Sequence, residues 1–514
     1  MSRPYPQAWD RRARVVTPMA PGLPLRADDG RTRRVTVVGG GLAGVAAAVV
    51  LAERGVAVTL HESGPVLGGR LSAWPDAMGS GEAFTMERGF HAFFRQYYNV
   101  RALLRRIDPG LGMLRPIADY PLYGPHGARE SFSNLPARPP FNLMALVRRT
   151  PTLGWRELRA IDGEVAAEML AFDGDDTYAR FDSMSAAAYL DAVGFPADAR
   201  RMLFEVFAHS FFSTEEQMSA AEMLMMFHLY FLGTAEGILF DVLHQPFDAA
   251  VWQPLQRVLE ALGVEVCLGS RVQELRPPGE DEGVVLAATV EGLQAITAAN
   301  SWLGATPSTW HDDVAALEQA PPFVVWRVWM DRDASPDRPA FAGTAGMGIV
   351  DNISCVHRYQ DEARRWAART GGAVMELHAY AVPDTFGRPL DEQRVKADLL
   401  AALHSCYPEF IGAQIIEERF VVRADCPAFT PGSWARRPTV ATPHARVVLA
   451  GDLVKLPFPT ALMERAVSSG FLAANALLSQ WGMAPEPVWS IPPRGVLAGL
   501  QAWKRRKTAA GPPG

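Results

Sequence analysis

Residues 34–62 read RVTVVGGGLAGVAAAVVLAERGVAVTLHE, and this stretch decides the fold. RVTVV is a short β-branched run of the kind that forms a buried parallel strand. Three glycines follow, then an alanine-rich segment with helical character that Gly55 stops, and VAVTLH supplies a second strand. The order is the opening of a βαβ unit. Gly39, Gly41 and Gly44 fit the pattern GxGxxG. The first allows the tight turn, the second lets backbone approach a pyrophosphate, and the third lets helix pack closely on sheet. Leu42 and Ala43 open the helix, whose free N–H groups and positive dipole end suit phosphate. Glu62 ends the second strand at the distance expected of an acid that holds ribose hydroxyls and rejects a 2′-phosphate. The stretch predicts a dinucleotide site that excludes NADP and leaves NAD and FAD open.

The next turn narrows the choice. Gly68, Gly69 and Arg70 form a second glycine-rich corner just beyond Glu62. Arg70 is expected to pair with the pyrophosphate, since a guanidinium is a planar, bidentate donor.

The rest of the chain sets bounds. It has 514 residues, 48% hydrophobic and 21% charged, which is ordinary for a soluble protein of two or three domains. A net charge of -6 gives no support to nucleic-acid binding. The four cysteines stand apart without CxxC pairs, so no disulfide scaffold and no metal centre is expected. Cys355 and His357 have the spacing of half a Rieske ligand set, but no second half follows. The first thirty-odd residues are arginine-rich and lack an apolar core, which reads as a flexible basic arm. No run is long enough to span a membrane; MLMMFHLYFLG at 223–233 is too short to cross but apolar enough to line a cavity or touch a bilayer.

Beyond residue 63 the pattern shifts repeatedly. Residues 139–240 read mostly as helices, with SMSAAAYLDAVG at 183–194 showing a polar start and a glycine stop. VEVCLGSRVQEL at 264–275 alternates like a strand; FVVWRVWM and AVMELHAYAV are strand-like; RVVLA at 446–450 is a last β-run before Gly451 and Asp452. The expected fold class is α/β: a Rossmann-like dinucleotide-binding domain, interleaved with an α+β substrate-binding domain. The expected boundaries are a basic arm at 1–31, cofactor segments at 32–138, 246–300 and 436–483, substrate segments at 139–245 and 301–435, and a solvated tail at 484–514.

These motifs carry a resemblance. The run GxGxxGxxxAxxLxxxG, then Glu62, then GGR, resembles the flavin amine oxidase and carotenoid desaturase superfamily. So do VLAGD at 448–452 and ALMERAVSSGFLAANALL at 461–478. The resemblance implies FAD as cofactor and makes the dinucleotide domain a Rossmann-like FAD-binding domain of the GR2 type. It implies that Gly451 and Asp452 meet the ribityl and phosphate region, with Asp452 accepting from a hydroxyl. It implies that the helix from Met463 aims its N-terminus at the pyrimidine end of the flavin, where reduced flavin is negative. It implies that a strand through Arg271 and Val272 brackets the adenine. Glu464 is expected to cap its own helix start. Arg465 stands where many relatives have glycine.

Gly89-Phe90-His91, continuing AFFRQYYN, is similar to the plant-type phytoene and ζ-carotene desaturases, which implies that Gly89 is among the cofactor-binding residues. Together with GTAGMGIVDNIS at 343–354 and GGAVMELHAYAV at 371–382, it looks most like the bacterial β-carotene desaturase/methyltransferases, the aryl-carotenoid (isorenieratene) synthases. That branch implies conversion of a β-ionone ring into an aromatic ring: hydride to flavin, a cation, a 1,2-shift of one geminal methyl, and proton loss. The partners implied are a lipophilic carotenoid-like substrate and an electron acceptor such as quinone or oxygen. The location implied is cytoplasmic, with peripheral contact at the inner face of the membrane. His91 is the expected catalytic group, because the motif places it beside the flavin and histidine titrates near neutrality; a purely structural hydrogen bond is the alternative. Other readings stay open: another carotenoid desaturase or a carotene isomerase, a flavin amine oxidase, or a non-catalytic lipid carrier. An amine oxidase needs paired aromatics near the flavin, and in KLPFPTA only Phe458 could serve.

Overall fold

The computed structural model describes residues 12–117, 119–131, 136, 141–149, 159, 161–201, 204, 206–234, 236–304, 309–382 and 390–509. The β-branched runs form one five-stranded parallel sheet in the order Glu265–Cys267, Ala57–His61, Arg34–Val38, Glu282–Leu286, Val447–Leu449. The fingerprint strand is central, with Val37 level with Leu60 on one side and with Val285 on the other. Parallel strands are covered on both faces, and Val35, Val37, Leu60, Val285 and Leu449 are accordingly buried. Helix Leu42–Glu53 follows the first strand, and its residues 42–52 are all buried. It packs against helix Leu462–Gln480 from the far end of the chain. That approach needs small residues. A Cβ at Gly470 would stand 2.3 Å from the Ala43 carbonyl oxygen, and one at Gly44 would stand 1.9 Å from that of Gly39.

A second sheet has seven strands, in the order Ile415–Arg423, Phe323–Met330, Ala373–Ala379, Asn352–Cys355, Phe341–Thr344, Leu122–Tyr123, Arg129–Glu130. All its pairings are antiparallel except that of Phe341–Thr344 with Leu122–Tyr123. Phe323–Met330 is buried along its whole length, which explains its near-continuous apolar run. Its one charged residue, Arg327, lies opposite Glu376. Among the described residues of 139–240 helices predominate, as expected. In helix Ala186–Val193 the Ser185 hydroxyl accepts from the Ala188 N–H, and Gly194 ends the helix at φ 75°.

Several expectations need correction. Residues 122–130, placed with the cofactor segments, pair into the second sheet. Of VEVCLGSRVQEL only Glu265–Cys267 is strand, so Val272 lies on irregular backbone rather than on a strand. The basic arm and the tail are not loose where they are described: Arg14–Thr17 pairs with Val488–Ser490, and Ala498–Ala509 is a helix. Residues 1–11 of the arm and 510–514 of the tail lie outside the described residues. The apolar run 223–233 is buried throughout, so it is core and has no face for a bilayer. No helix among the described residues is long and apolar enough to cross a membrane.

Candidate functional site

A cavity of about 690 Å³ opens at the carboxyl ends of the parallel strands and continues to the second sheet. That is the size and place expected of a cofactor site in an open α/β sheet. One end is built from turns. Gly39, at φ 112°, makes the corner after the first strand; a Cβ there would stand 2.3 Å from the Ala287 carbonyl oxygen. Gly41 has nothing within 4 Å of the place a Cβ would take, so its backbone faces open space. It precedes helix Leu42–Glu53, whose start carries no side-chain cap. Helix Leu462–Gln480 also begins without a side-chain cap, and Leu462, at φ 50°, makes the sharp turn into it. Leu462 and Met463 line the same cavity. Two helix starts with uncapped N–H groups therefore converge on one space, which suits an anionic ligand.

Glu62 lines this end and is held in place. Its carboxylate accepts from the Gly40 N–H at 2.8 Å and the Gly64 N–H at 2.6 Å. Each oxygen keeps lone-pair capacity for a hydroxyl. Arg70 and Asp452 also line the cavity, but they face each other: two N–H groups of the guanidinium donate to the two carboxylate oxygens at 2.7 and 2.5 Å. Arg70 and Asp452 are thus partners of each other, a pairing that neither expectation included. Burial opposes the Asp452 charge, and Arg70 outweighs it and holds the carboxyl below its usual range. The pair ties the Gly69–Leu71 turn to the Gly451 corner, 382 positions apart in the chain. Gly69, Gly451, Val272, Leu42 and Ala43 line the cavity with them. Gly44 does not; it packs helix on strand.

The other end is aromatic and apolar. Phe90, Tyr120, Phe240 and Phe341 meet there, with the Phe90 and Phe341 rings stacked at 4.3 Å and Tyr120 4.8 Å from Phe240. Tyr230 reaches this wall from a π-helical turn, His228–Leu232, and its hydroxyl pairs with that of Tyr97 at 2.8 Å. Of the apolar run 223–233, Tyr230 is the residue that lines the cavity. Beside it the strand Ala373–Ala379 brings up Glu376 and His378, followed by Tyr380. His378 Nε2 lies 2.8 Å from Glu376 Oε1, and its Nδ1 lies 2.7 Å from the Tyr380 hydroxyl. Arg327 donates to Glu376 at 2.8 Å and to Glu87 at 3.1 Å. Burial resists the Glu376 charge, but Arg327 and His378 prevail and hold its pKa down to about 2.

His91 lines the same cavity. Its Nδ1 donates to the Gly89 carbonyl oxygen at 2.9 Å. Burial outweighs that bond and lowers its pKa to about 4, so the ring is neutral at physiological pH. Gly89 does not line the cavity, contrary to its place among the expected cofactor residues. At φ 95° it makes room for His378, whose Cε1 would lie 2.6 Å from a Cβ there. Glu464 is also corrected. It caps a different helix, Tyr98–Leu104, accepting from the N–H groups of Asn99 and Val100 at 2.9 and 3.0 Å. Arg465 turns away into a buried cluster with Glu222, Arg437 and Tyr178. Phe458 lines a separate, smaller cavity.

Sequence reasoning missed His378, Tyr380 and the aromatic wall. A signal was present: Glu376, His378 and Tyr380 alternate in an otherwise apolar strand, which places all three on one face. The aromatics come from four separate segments, so no local pattern marks them.

The family described as flavin-containing amine oxidoreductase matches residues 42–478. The carotenoid phi-ring synthase of Streptomyces griseus is 46% identical over 96% of each chain. That of Chlorobaculum tepidum is 29% identical over 91% of each. A solved structure of putrescine oxidase bound to putrescine shares the fold, with a TM-score of 0.59 at 15% identity over 87% of this chain and 99% of that one. The open backbone at Gly41 and the paired uncapped helix starts fit the nucleotide such enzymes carry. The chain belongs to the flavin-containing amine oxidoreductase family and is an FAD-dependent oxidoreductase.

Proposed function

We propose that this protein aromatises the β-ionone end ring of a carotenoid, with removal of hydrogen and a 1,2-shift of one methyl group. The observation that carries the reading is a single cavity with a nucleotide-type turn at one end and a hydrocarbon-type wall at the other. Identity of 46% to a carotenoid phi-ring synthase along nearly the whole chain supports the same reading. Bound FAD would supply the hydride acceptor. Gly41, Leu42 and Ala43 would hold its pyrophosphate, Glu62 its ribose, and the start of helix Leu462–Gln480 its flavin end. Gly451 and the Arg70–Asp452 pair would frame the middle of the cofactor, and Val272 would cover its adenine end.

The chain's own residues do the rest. Phe90, Tyr120, Phe240 and Phe341 orient an apolar ring by contact, since a hydrocarbon offers nothing to hydrogen-bond. The same wall excludes water, which would otherwise capture a ring cation. His91, neutral and fixed through Nδ1, orients the group beside it and keeps positive charge off that wall.

The amine-oxidase reading is less well supported, because Phe458, its one candidate cage residue, fronts a different cavity. A quinone or oxygen completes the cycle as electron acceptor. The substrate is met at a membrane surface: helix Phe141–Arg149 exposes Phe141 and Met144 and ends in Arg148 and Arg149, which suits an anionic interface. Sedimentation with anionic vesicles tests this contact, and a protein that stays in the supernatant contradicts it. The test of the function is incubation of the holoenzyme with β-carotene and a quinone. Loss of hydrogens with every carbon retained is expected; unchanged mass with altered geometry indicates isomerase action instead.

A further inference from the structure

We propose that Tyr380, His378 and Glu376 form the proton-accepting relay of the reaction, with Tyr380 as the group that takes the proton from the substrate ring. This rests on the ring-aromatising reading given above. Forming an aromatic ring from a trimethylcyclohexenyl end group removes four hydrogens, two as hydride and two as protons. Family membership accounts for the hydride acceptor and leaves the protons without one.

The three side chains have the order such a relay needs. Glu376 is buried, ionised and held by Arg327. Two groups approach His378 Nε2, the Glu376 carboxylate at 2.8 Å and the Phe90 N–H at 3.3 Å; an ionised carboxylate only accepts, so the Nε2 hydrogen is assigned to the shorter contact with Glu376 Oε1. His378 Nδ1 is therefore the lone pair, and it accepts from the Tyr380 hydroxyl at 2.7 Å. The Tyr380 oxygen also accepts from Asn352 Nδ2 at 3.0 Å. One lone pair remains on that oxygen, and Tyr380 lines the cavity, with Phe212 packed edge-on at 5.1 Å. The groups behind the relay are paired as well. Glu87 takes the other side of Arg327 and accepts from Gln360 and from the Phe247 N–H. A charged network this deep is expensive to maintain, and it stands against a hydrocarbon wall that has no structural use for it.

The step balances. When hydride has left the ring, a C–H bond next to the cationic carbon breaks and its electron pair becomes the new double bond. The proton forms an O–H bond with Tyr380 while the original Tyr380 proton passes to His378 Nδ1. The imidazolium so formed is stabilised by Glu376, and before the second round its proton returns through Tyr380 to the cavity, where reduction of the quinone takes up one proton for each hydride. A phenol is a weak base, but a ring cation is a far stronger acid, so the transfer runs downhill. His91 is less suited to this role, since only a backbone carbonyl stands behind it and burial disfavours its protonated form.

The test uses the full chain with FAD bound, β-carotene in phosphatidylcholine vesicles, and a quinone acceptor. Tyr380→Phe and His378→Gln are expected to keep flavin content and melting temperature. Both should lower kcat by about 10²–10³-fold with KM within about threefold. His378→Ala should regain turnover as imidazole is added. Nitrogen-15 NMR of FAD-free protein should show His378 as the Nε2–H tautomer, with an Nδ1 signal that moves in Tyr380→Phe. Active wild type beside equally active variants, or an Nδ1–H tautomer, overturns the relay alone. A wild type that leaves the carotenoid unchanged overturns the functional reading and the relay with it.

Discussion

The two ends of the cavity are made in opposite ways. The nucleotide end is a set of corners at strand ends, where Gly39, Gly41 and Glu62 lie within one βαβ unit. The aromatic end is assembled across strands, with Phe90, Phe240, Phe341 and Tyr380 each from a different segment. The first binds by backbone geometry, so its residues are small and local. The second works by side-chain surface and one buried relay, so its residues are large and scattered. Substitutions at the two ends should therefore fail differently, the first by losing cofactor and the second by losing turnover.

The largest expected effect is at Gly41. A Cβ there has no protein atom within 4 Å, so Gly41→Val is expected to fold while its side chain fills the open space of the cradle. FAD binding should weaken on the order of 100-fold or more, about 2.7 kcal/mol, read as loss of yellow flavin from purified protein. Normal flavin stoichiometry would break the comparison at this end. Next is Gly89→Ala, which meets His378 and is strained at φ 95°. It should keep FAD yet lose roughly 10–100-fold in kcat, about 1.4–2.7 kcal/mol of transition-state stabilisation. A variant that loses flavin instead would return Gly89 to the cofactor set.

A smaller effect comes from His228, which belongs to neither end. It is fully buried, donates to the Pro492 carbonyl oxygen at 2.8 Å, and burial lowers its pKa to about 4. The unfolded chain binds that proton near the ordinary value of 6.5. Stability is thus complete above pH 6.5 and falls as pH drops toward 4, by on the order of 2 kcal/mol at pH 5. Denaturant midpoints at pH 7 and 5 should show this loss in the wild type and a smaller one in His228→Gln. The smallest effect is at Phe458, whose side chain faces the other cavity. Phe458→Leu should leave kcat within about twofold; a larger loss would favour an amine-oxidase cage.

The contrast also explains what was legible. GxGxxG and Glu62 could be read because one strand, one turn and one helix fix their roles. The parallel sheet and the helix at Leu462–Gln480 follow from the same periodicity. Arg70 and Asp452 were found, but not their pairing, because 382 positions separate them and nothing local joins them. In sequence Glu464 reads as a cap of its own helix, since the helix it does cap, Tyr98–Leu104, is brought to it by packing. The tail reads as solvated in sequence because its partner strand, Arg14–Thr17, lies at the opposite terminus. Glu376, His378 and Tyr380 showed their alternation in the sequence. Their meaning depends on Arg327 in the neighbouring strand and on a cavity that the sequence alone does not display.

The central claim is that one cavity holds FAD at one end and a carotenoid ring at the other. It is tested most directly by a single anaerobic turnover of the holoenzyme with β-carotene, read by flavin bleaching and product mass together. The account predicts bleaching of the flavin with loss of two hydrogens per flavin reduced and all carbons retained, rising to four per ring when quinone is added. Flavin that stays oxidised in the presence of the carotenoid, but bleaches with a primary amine, would contradict it.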